Sequence, residues 1–252
     1  MRYLGFSCIR WFYGSEEYVT ELIFMCILAS KMKALICDLD GVLIDSRPQM
    51  GIAFEKSYRR YFGASVKPPT DRFFSYMGMP LPEILRRMAL PTEMYETYRD
   101  ISRSLLDDMH LFAGIPDLLE TAKHLGMRIG LSTGKDRQRT REILRHFKLT
   151  SYFECVVCGD DPFPGKPDPY GLNLTLSQLR VGAAEAVFVG DSPLDIRYAR
   201  MASVIGIGAE WGFCSRDELL ASGAQVTFPS VSHLNAWLTR PANTTRSGVL
   251  PV

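Results

Sequence analysis

Asp38 and Asp40 stand one residue apart, directly behind the apolar run Ala34 to Cys37 and directly ahead of Gly41. A short apolar run that stops at a turn signal reads as a buried strand. Two carboxylates at the exit of such a strand are costly for a core, because each would give up its hydration. They suit a site that holds a cation and attacks a phosphorus atom. Splitting a hydrolysis into two displacements needs one carboxylate kept ionised and another able to exchange a proton. Three further clusters offer matching chemistry: Ser132-Thr133-Gly134-Lys135, then Gly159-Asp160-Asp161 leading into Gly165-Lys166-Pro167, and Gly190-Asp191-Ser192 followed by Asp195.

Each cluster follows a segment that reads as a strand. Strands are predicted at 34–37, 127–133, 153–158, 186–190, 204–207 and 225–228, separated by helices at 115–125, 136–147, 169–179, 193–201, 216–221 and 231–238. The helix at 136–147 carries basic residues expected on its outer side. Repeated strand–helix units of this length imply a parallel sheet covered on both faces, and ligands bind such sheets outside the carboxyl ends of the strands. The four clusters therefore converge on one rim. Residues 48–112 differ: Met50, Ala53, Phe54, Tyr58, Tyr61 and Phe62 recur at helical spacing before Gly63, further helices are predicted at 70–76, 81–89 and 93–109, and no strand pattern is present. They form a helical unit inserted between residues 33–47 and 113–239, which together make the sheet domain.

The chain has 252 residues, 46% hydrophobic and 23% charged, with a net charge of +1. That balance gives no reason to propose nucleic-acid or anionic-membrane binding. Residues 1–32 are expected to be a leader: the apolar run 22–29 is far shorter than the roughly 20 residues of a membrane span, and Glu16, Glu17 and Glu21 stand where a signal peptide carries basic residues. Residues 240–252 read as a frayed tail. The six cysteines have no disulfide-framework spacing, which points to a reducing cytoplasm. Cys155 and Cys158 make a C-x-x-C, yet nothing nearby supplies further ligands, so they are expected as buried or strand-end thiols.

The segments DLDGVLIDS, a strand-end threonine, GKPDP and VGDSPLD, in this order, resemble the haloacid dehalogenase (HAD) superfamily. The insertion after the first strand is similar to the helical cap of its phosphoglycolate-phosphatase and β-phosphoglucomutase branch, and the resemblance covers about residues 33–238. It implies an α/β fold with a Rossmann-like parallel sheet core and an inserted α-helical cap domain. It also implies a Mg²⁺-dependent phosphatase acting on a small phosphomonoester, of phosphoglycolate or sugar-phosphate type, as a monomer or homodimer. Asp38 would be the nucleophile that forms an aspartyl-phosphate, and Asp40 the acid for the leaving oxygen and then the base for water. Asp38, Asp191 and the Asp40 backbone carbonyl would hold Mg²⁺, an ion that takes hard oxygen ligands. Lys166 would supply positive charge, Thr133 and Gly134 would hold phosphoryl oxygens, and Asp195 would orient the metal site or Lys166.

Taken singly these residues have plainer readings. Asp38 could cap a turn, Asp45 and Ser46 are expected to cap the next helix, and Asp191-Ser192-Pro193 could be a helix start. Thr133 and Lys166 could be ordinary loop residues, and Asp160 and Asp161 are balanced between both roles. Arg47, Arg72, Arg86 and Arg87 are expected on solvated helix faces. Asp40 argues against a dehalogenase, which has no alkoxide to protonate. The inserted unit carries Gly78-Met79-Pro80-Leu81-Pro82-Glu83, similar to the cap loop Gly-x-Pro/Ser-x-x-acid, and resembling mutases carry a basic residue where Leu81 or Pro82 stands. The segment 76–94 with STGK is most similar to HAD phosphatases associated with 3-amino-5-hydroxybenzoate biosynthesis. Alternative readings are a β-phosphoglucomutase-like phosphomutase and a non-catalytic HAD-fold binding module.

Overall fold

The computed structural model describes residues 31–239. The expected leader up to residue 30 and the expected tail from residue 240 lie outside the described residues. Met32 packs into the sheet's own core.

Strand β1 (Ala34–Cys37) is buried along its whole length, as an apolar run with no polar alternation requires when both faces of a sheet are covered. Leu35 and Cys37 face one core layer while Ala34 and Ile36 face the other, the two-residue alternation of a strand. Beyond the turn at Gly41, β2 (Ile44–Asp45) leads into α1 (Arg47–Phe62), closed by Gly63. Helices α2 (Thr70–Phe74), α3 (Leu81–Arg87) and α4 (Met94–Ser104) follow. These four helices surround a hydrophobic cluster separate from the sheet, with Phe54 stacked on Phe73 at 4.3 Å and Tyr98 beside it.

The chain returns through β3 (His110–Leu111), which pairs antiparallel with β2, Ile44 opposite Leu111. The helix-only expectation for residues 48–112 misses this two-residue strand, because alternation cannot be read from two residues. Next come α5 (Ile115–His124), β4 (Arg128–Ser132), α6 (Arg137–His146), β5 (Cys155–Val157) and α7 (Tyr170–Leu179). The series ends with β6 (Ala186–Gly190), α8 (Pro193–Met201), β7 (Ile205–Ala209), α9 (Arg216–Ala221), β8 (Val226–Phe228) and α10 (Val231–Leu238).

The sheet is parallel throughout, in the order β5-β4-β1-β6-β7-β8. The chain builds outward from β1 through β4 to β5, then crosses back to β6 on the other side. The order therefore reverses at β1, where the carboxyl ends of β4, β1 and β6 bound a crevice. This is the α/β architecture expected from the repeated strand–helix units.

One local expectation is corrected. The Ser46 hydroxyl does not cap α1; it donates to Met50 Sδ at 3.3 Å, and Asp45 lies within β2. The outer side of α6 carries exposed Arg141 and Arg145, while Arg139 is buried. The Asp191-Ser192-Pro193 helix start is as expected, with the Ser192 hydroxyl accepting the Asp195 N–H. Phe54 is fully buried in the helical cluster, so Phe54→Ala is expected to lower stability by about 3–5 kcal/mol in urea denaturation. A loss below about 1 kcal/mol would contradict the packing.

Candidate active site

The three carboxylates of Asp38, Asp191 and Asp195 converge from two strand ends and the first turn of α8, with one oxygen of each within 4.8 Å of the others. All three residues are buried. Gly41 makes the convergence possible: its φ of +76° is a left-handed turn, and a Cβ there would run into the Asp191 carboxylate. The backbone of the turn therefore lies directly against that side chain. On the other side the Phe213 N–H donates to Asp191 Oδ2 at 2.7 Å.

Lys166 places its ammonium between two of these carboxylates. Nζ donates to Asp195 Oδ1 at 2.7 Å and lies 3.2 Å from Asp38 Oδ1. That second contact is an ion pair without hydrogen-bond alignment, and Asp38 Oδ1 is buried with no hydrogen-bond donor. The rings of Phe188 and Tyr198 lie 5.0 and 5.5 Å from the ammonium and face it as π surfaces. Burial acts to lower the Lys166 pKa, but the Asp195 and Asp38 carboxylates outweigh it and the net shift is upward. The Ser192 hydroxyl donates to Asp195 Oδ2 at 2.6 Å, so both oxygens of Asp195 are engaged.

Burial pushes the Asp38 carboxyl up to about 7, with Lys166 pulling it down and Asp195 and Asp40 adding to the rise. Asp191 is raised well above the ordinary carboxylate range, by burial first and then by Asp195 and Asp38. The cluster thus carries more negative charge than Lys166 compensates. Buried carboxylate oxygens with excess negative charge are the donor set of a hard divalent cation, and Asp38 Oδ1 is an oxygen without a donor. The residues fit Mg²⁺, with Asp38 and Asp191 as the carboxylates whose oxygens are not all committed elsewhere.

Asp40 points elsewhere: its Oδ2 lies 3.0 Å from Lys135 Nζ, and both side chains are nearly buried. Lys135, the last residue of the Ser132-Thr133-Gly134-Lys135 cluster, has no role assigned by the motif and follows Thr133 by two residues in the same strand-exit loop. The Thr133 hydroxyl accepts the Lys135 backbone N–H at 3.2 Å. A Cβ on Gly134 would overlap the carbonyl of Gly78, so the inserted unit touches this loop backbone to backbone.

Asp38, Asp40, Thr133, Gly134 and Lys135 open into a cavity of about 140 Å³. Gly78 to Pro82 line it, whereas Glu83 turns to Arg86 and Arg87 on its own helix. Arg72, Arg86 and Arg87 are exposed, as expected. Arg47 is also exposed but anchored, donating to the Phe213 carbonyl and sitting over the rings of Phe74 and Phe213. Asp160 and Asp161 hold the β5 exit loop to the start of α6: Asp160 accepts the Arg137 N–H and Asp161 pairs with its guanidinium. Cys155 and Cys158 are buried free thiols raised chiefly by burial. Tyr98, Arg99 and Arg139 also line the cavity, and nothing in the motifs announces them.

This arrangement matches known proteins. Residues 35–209 match the haloacid dehalogenase-like hydrolase family. A protein of Caldanaerobacter subterraneus provisionally named pyrophosphatase PpaX is 30% identical over 72% of this chain and 83% of its own. The phosphoglycolate phosphatase of Vibrio parahaemolyticus is 29% identical, covering 81% of this chain and 94% of its own. Among solved structures, CbbY from Rhodobacter sphaeroides in complex with phosphate has a TM-score of 0.71 at 24% identity, over 82% of this chain and 99% of that one. The chain belongs to the haloacid dehalogenase-like hydrolase family, and it is an enzyme of that family's phosphatase type.

Removing the cation of this cluster leaves its carboxylates uncompensated. Lys166→Met is expected to lower stability by about 3–5 kcal/mol when unfolding is followed in EDTA. An unchanged unfolding midpoint would show that Lys166 does not neutralise Asp38 and Asp195.

Proposed function

We propose that this enzyme hydrolyses a small phosphomonoester, with Mg²⁺ bound at the carboxylate cluster, through an aspartyl-phosphate on Asp38. The observation that carries this reading is the buried set Asp38, Asp191, Asp195 and Lys166, of which Asp38 opens into a cavity lined by Gly78 to Pro82. Relatives named phosphoglycolate phosphatase support it.

In this reading an Asp38 oxygen attacks phosphorus and the alcohol leaves, taking a proton from Asp40. Asp40, now ionised, takes a proton from water, whose oxygen attacks phosphorus and releases phosphate and the Asp38 carboxylate. Asp38, Asp191 and the Asp40 carbonyl would hold Mg²⁺, which would supply the positive charge that a carboxylate needs to approach a phosphate dianion. Lys166 adds positive charge beside the nucleophile. Thr133 Oγ1 and the Gly134 N–H hold phosphoryl oxygens. Lys135 pairs with Asp40 and orients it toward the cavity they share. Asp195 keeps Lys166 in position. The helical unit acts as a cap that excludes water, and its segment Gly78 to Pro82 lines the space the alcohol would occupy. Leu81 and Pro82 are apolar at the positions where resembling sugar phosphomutases carry a basic residue, which favours a hydrolase. Free thiols at all four described cysteines suit a reducing cytoplasm.

Phosphate release from phosphoglycolate, sugar phosphates and aminosugar phosphates, with Mg²⁺ present, tests the reading. Turnover is expected to vanish with Asp38→Asn or with EDTA and to fall about 10²- to 10⁴-fold with Asp40→Asn. Appreciable hydrolysis by the Asp38→Asn enzyme would overturn the mechanism.

A further inference from the structure

The cavity beside Asp38 and Asp40 has an apolar wall supplied by the inserted unit. Met79, Leu81, Pro82 and Tyr95 line it with part of their surface exposed, and Met50 and Met77 add smaller patches. The segment Gly78 to Pro82 offers few backbone donors: Pro80 and Pro82 have no N–H, and the Met79 N–H is donated to the Tyr76 carbonyl at 3.2 Å. The charged side chains of the lining already have partners within the protein. Asp136 accepts the Arg139 N–H, Asp160 accepts the Arg137 N–H, and Lys135 pairs with Asp40. Arg99 pairs with Glu96 at 2.6 Å and lies over the Tyr95 ring, while Arg139 is held by the Ser102 carbonyl and Glu142. The Nε–H groups of both arginines lack an acceptor but are buried, out of a ligand's reach.

A ligand group that enters this space gives up its water. A hydroxyl or a second anionic group would lose hydrogen bonds there and meet side chains already engaged with each other, which weakens binding by about tenfold or more per group. An alkyl or aromatic group has no hydrogen bonds to lose, and each methylene buried on the wall strengthens binding by about fourfold. Methionine widens the range of shapes that fit, because its side chain is flexible and polarisable. Met50, Met77 and Met79 bring three such side chains to one wall.

We infer that the inserted unit selects an apolar alcohol, so that the preferred substrate is the phosphomonoester of an alkyl or arylalkyl alcohol, with neither a second charge nor a run of hydroxyls. The inference rests on the phosphatase reading and narrows its substrate class. It sets this chain apart from the relatives named phosphoglycolate phosphatase, whose named substrate carries a carboxylate. The selecting residues, Met79, Leu81, Pro82 and Tyr95, lie outside the set that handles the phosphoryl group, so the choice of alcohol and the chemistry are carried by different side chains.

The test is a homologous series of methyl, ethyl, propyl and butyl phosphate, with benzyl phosphate, phosphoglycolate and glucose phosphate measured beside it. The alkyl alcohols leave with nearly equal ease, so the series reads how the chain is bound. kcat/KM is expected to rise about three- to fourfold per methylene. Butyl and benzyl phosphate are expected to exceed phosphoglycolate and glucose phosphate by about tenfold or more. Met79→Gln and Leu81→Asn, close in size to the residues they replace, are each expected to cut the rise to about twofold or less per methylene. A purely structural role would lower every ester in proportion and leave the slope intact. Calorimetry of butyl against methyl phosphate on the Asp38→Asn protein, with Mg²⁺ present, reads the same wall without turnover. Tighter binding of the butyl ester is expected, with a more negative heat-capacity change. A flat series, a slope unchanged in both variants, equal binding of the two esters, or preference for phosphoglycolate or glucose phosphate would overturn the inference. In those outcomes Asp38-dependent release of phosphate from any of these esters would still support the phosphatase reading.

Discussion

The structure depends on a buried imbalance of charge at the carboxyl end of its central strands. Asp38, Asp191 and Asp195 meet inside the protein, with the Lys166 ammonium against Asp38 and Asp195. Such a cluster works against folding, since each buried carboxylate loses hydration and repels its neighbours. Much of the surrounding structure contains that tension. Phe213 and Ser192 donate hydrogen bonds to Asp191 and Asp195, and Phe188 and Tyr198 present rings to Lys166. Gly41 and Gly212 let two backbone segments close directly on Asp191. The parallel sheet makes this containment rigid by fixing the strand ends from which the aspartates project.

Chemistry on a phosphate needs such a dry, preorganised site, and the inserted helices supply its roof. Their contact with the sheet domain is carried by packing and backbone approach. Gly78 meets Gly134, Pro80 approaches Gly165, and Arg47 sits over Phe74 and Phe213. Phe213 links both regions, because its N–H holds Asp191 while its ring packs against the helical cluster. A change in how the helices sit is therefore felt at a carboxylate of the cluster. Among the described residues no helix is long and apolar enough to cross a membrane.

The candidate groups were legible because each lies within a few residues of a strand whose apolar run ends abruptly. Asp38, Thr133, Lys166 and Asp191 could be nominated from local text, and the parallel sheet that gathers them followed from alternating strand and helix patterns. Residues whose roles depend on a distant partner were not legible. Arg47 reads as a solvated helix start until Phe213, far along the chain, is placed against it. Arg139 reads as one more basic residue of an exposed helix until Ser102 of the inserted unit covers it. The β2–β3 pair joins two residues to two residues across the whole insertion, too short for any periodicity to record.

By itself, then, the sequence determined the parallel sheet and nominated the candidate residues at its strand ends, because strand runs, turn glycines and acid spacing are local and have few alternatives. Tertiary structure alone decided how the charges are shared. It gave both Asp195 oxygens to Lys166 and Ser192, turned Asp40 to Lys135, and left Asp38 Oδ1 without a donor. It also decided which arginines stand at the cavity, placing Arg99 and the buried Arg139 in its lining and leaving Arg86 and Arg87 to Glu83 outside. The physical reason is that hydrogen bonds and ion pairs act over a few ångströms in space, and these partners come from segments that only folding brings together.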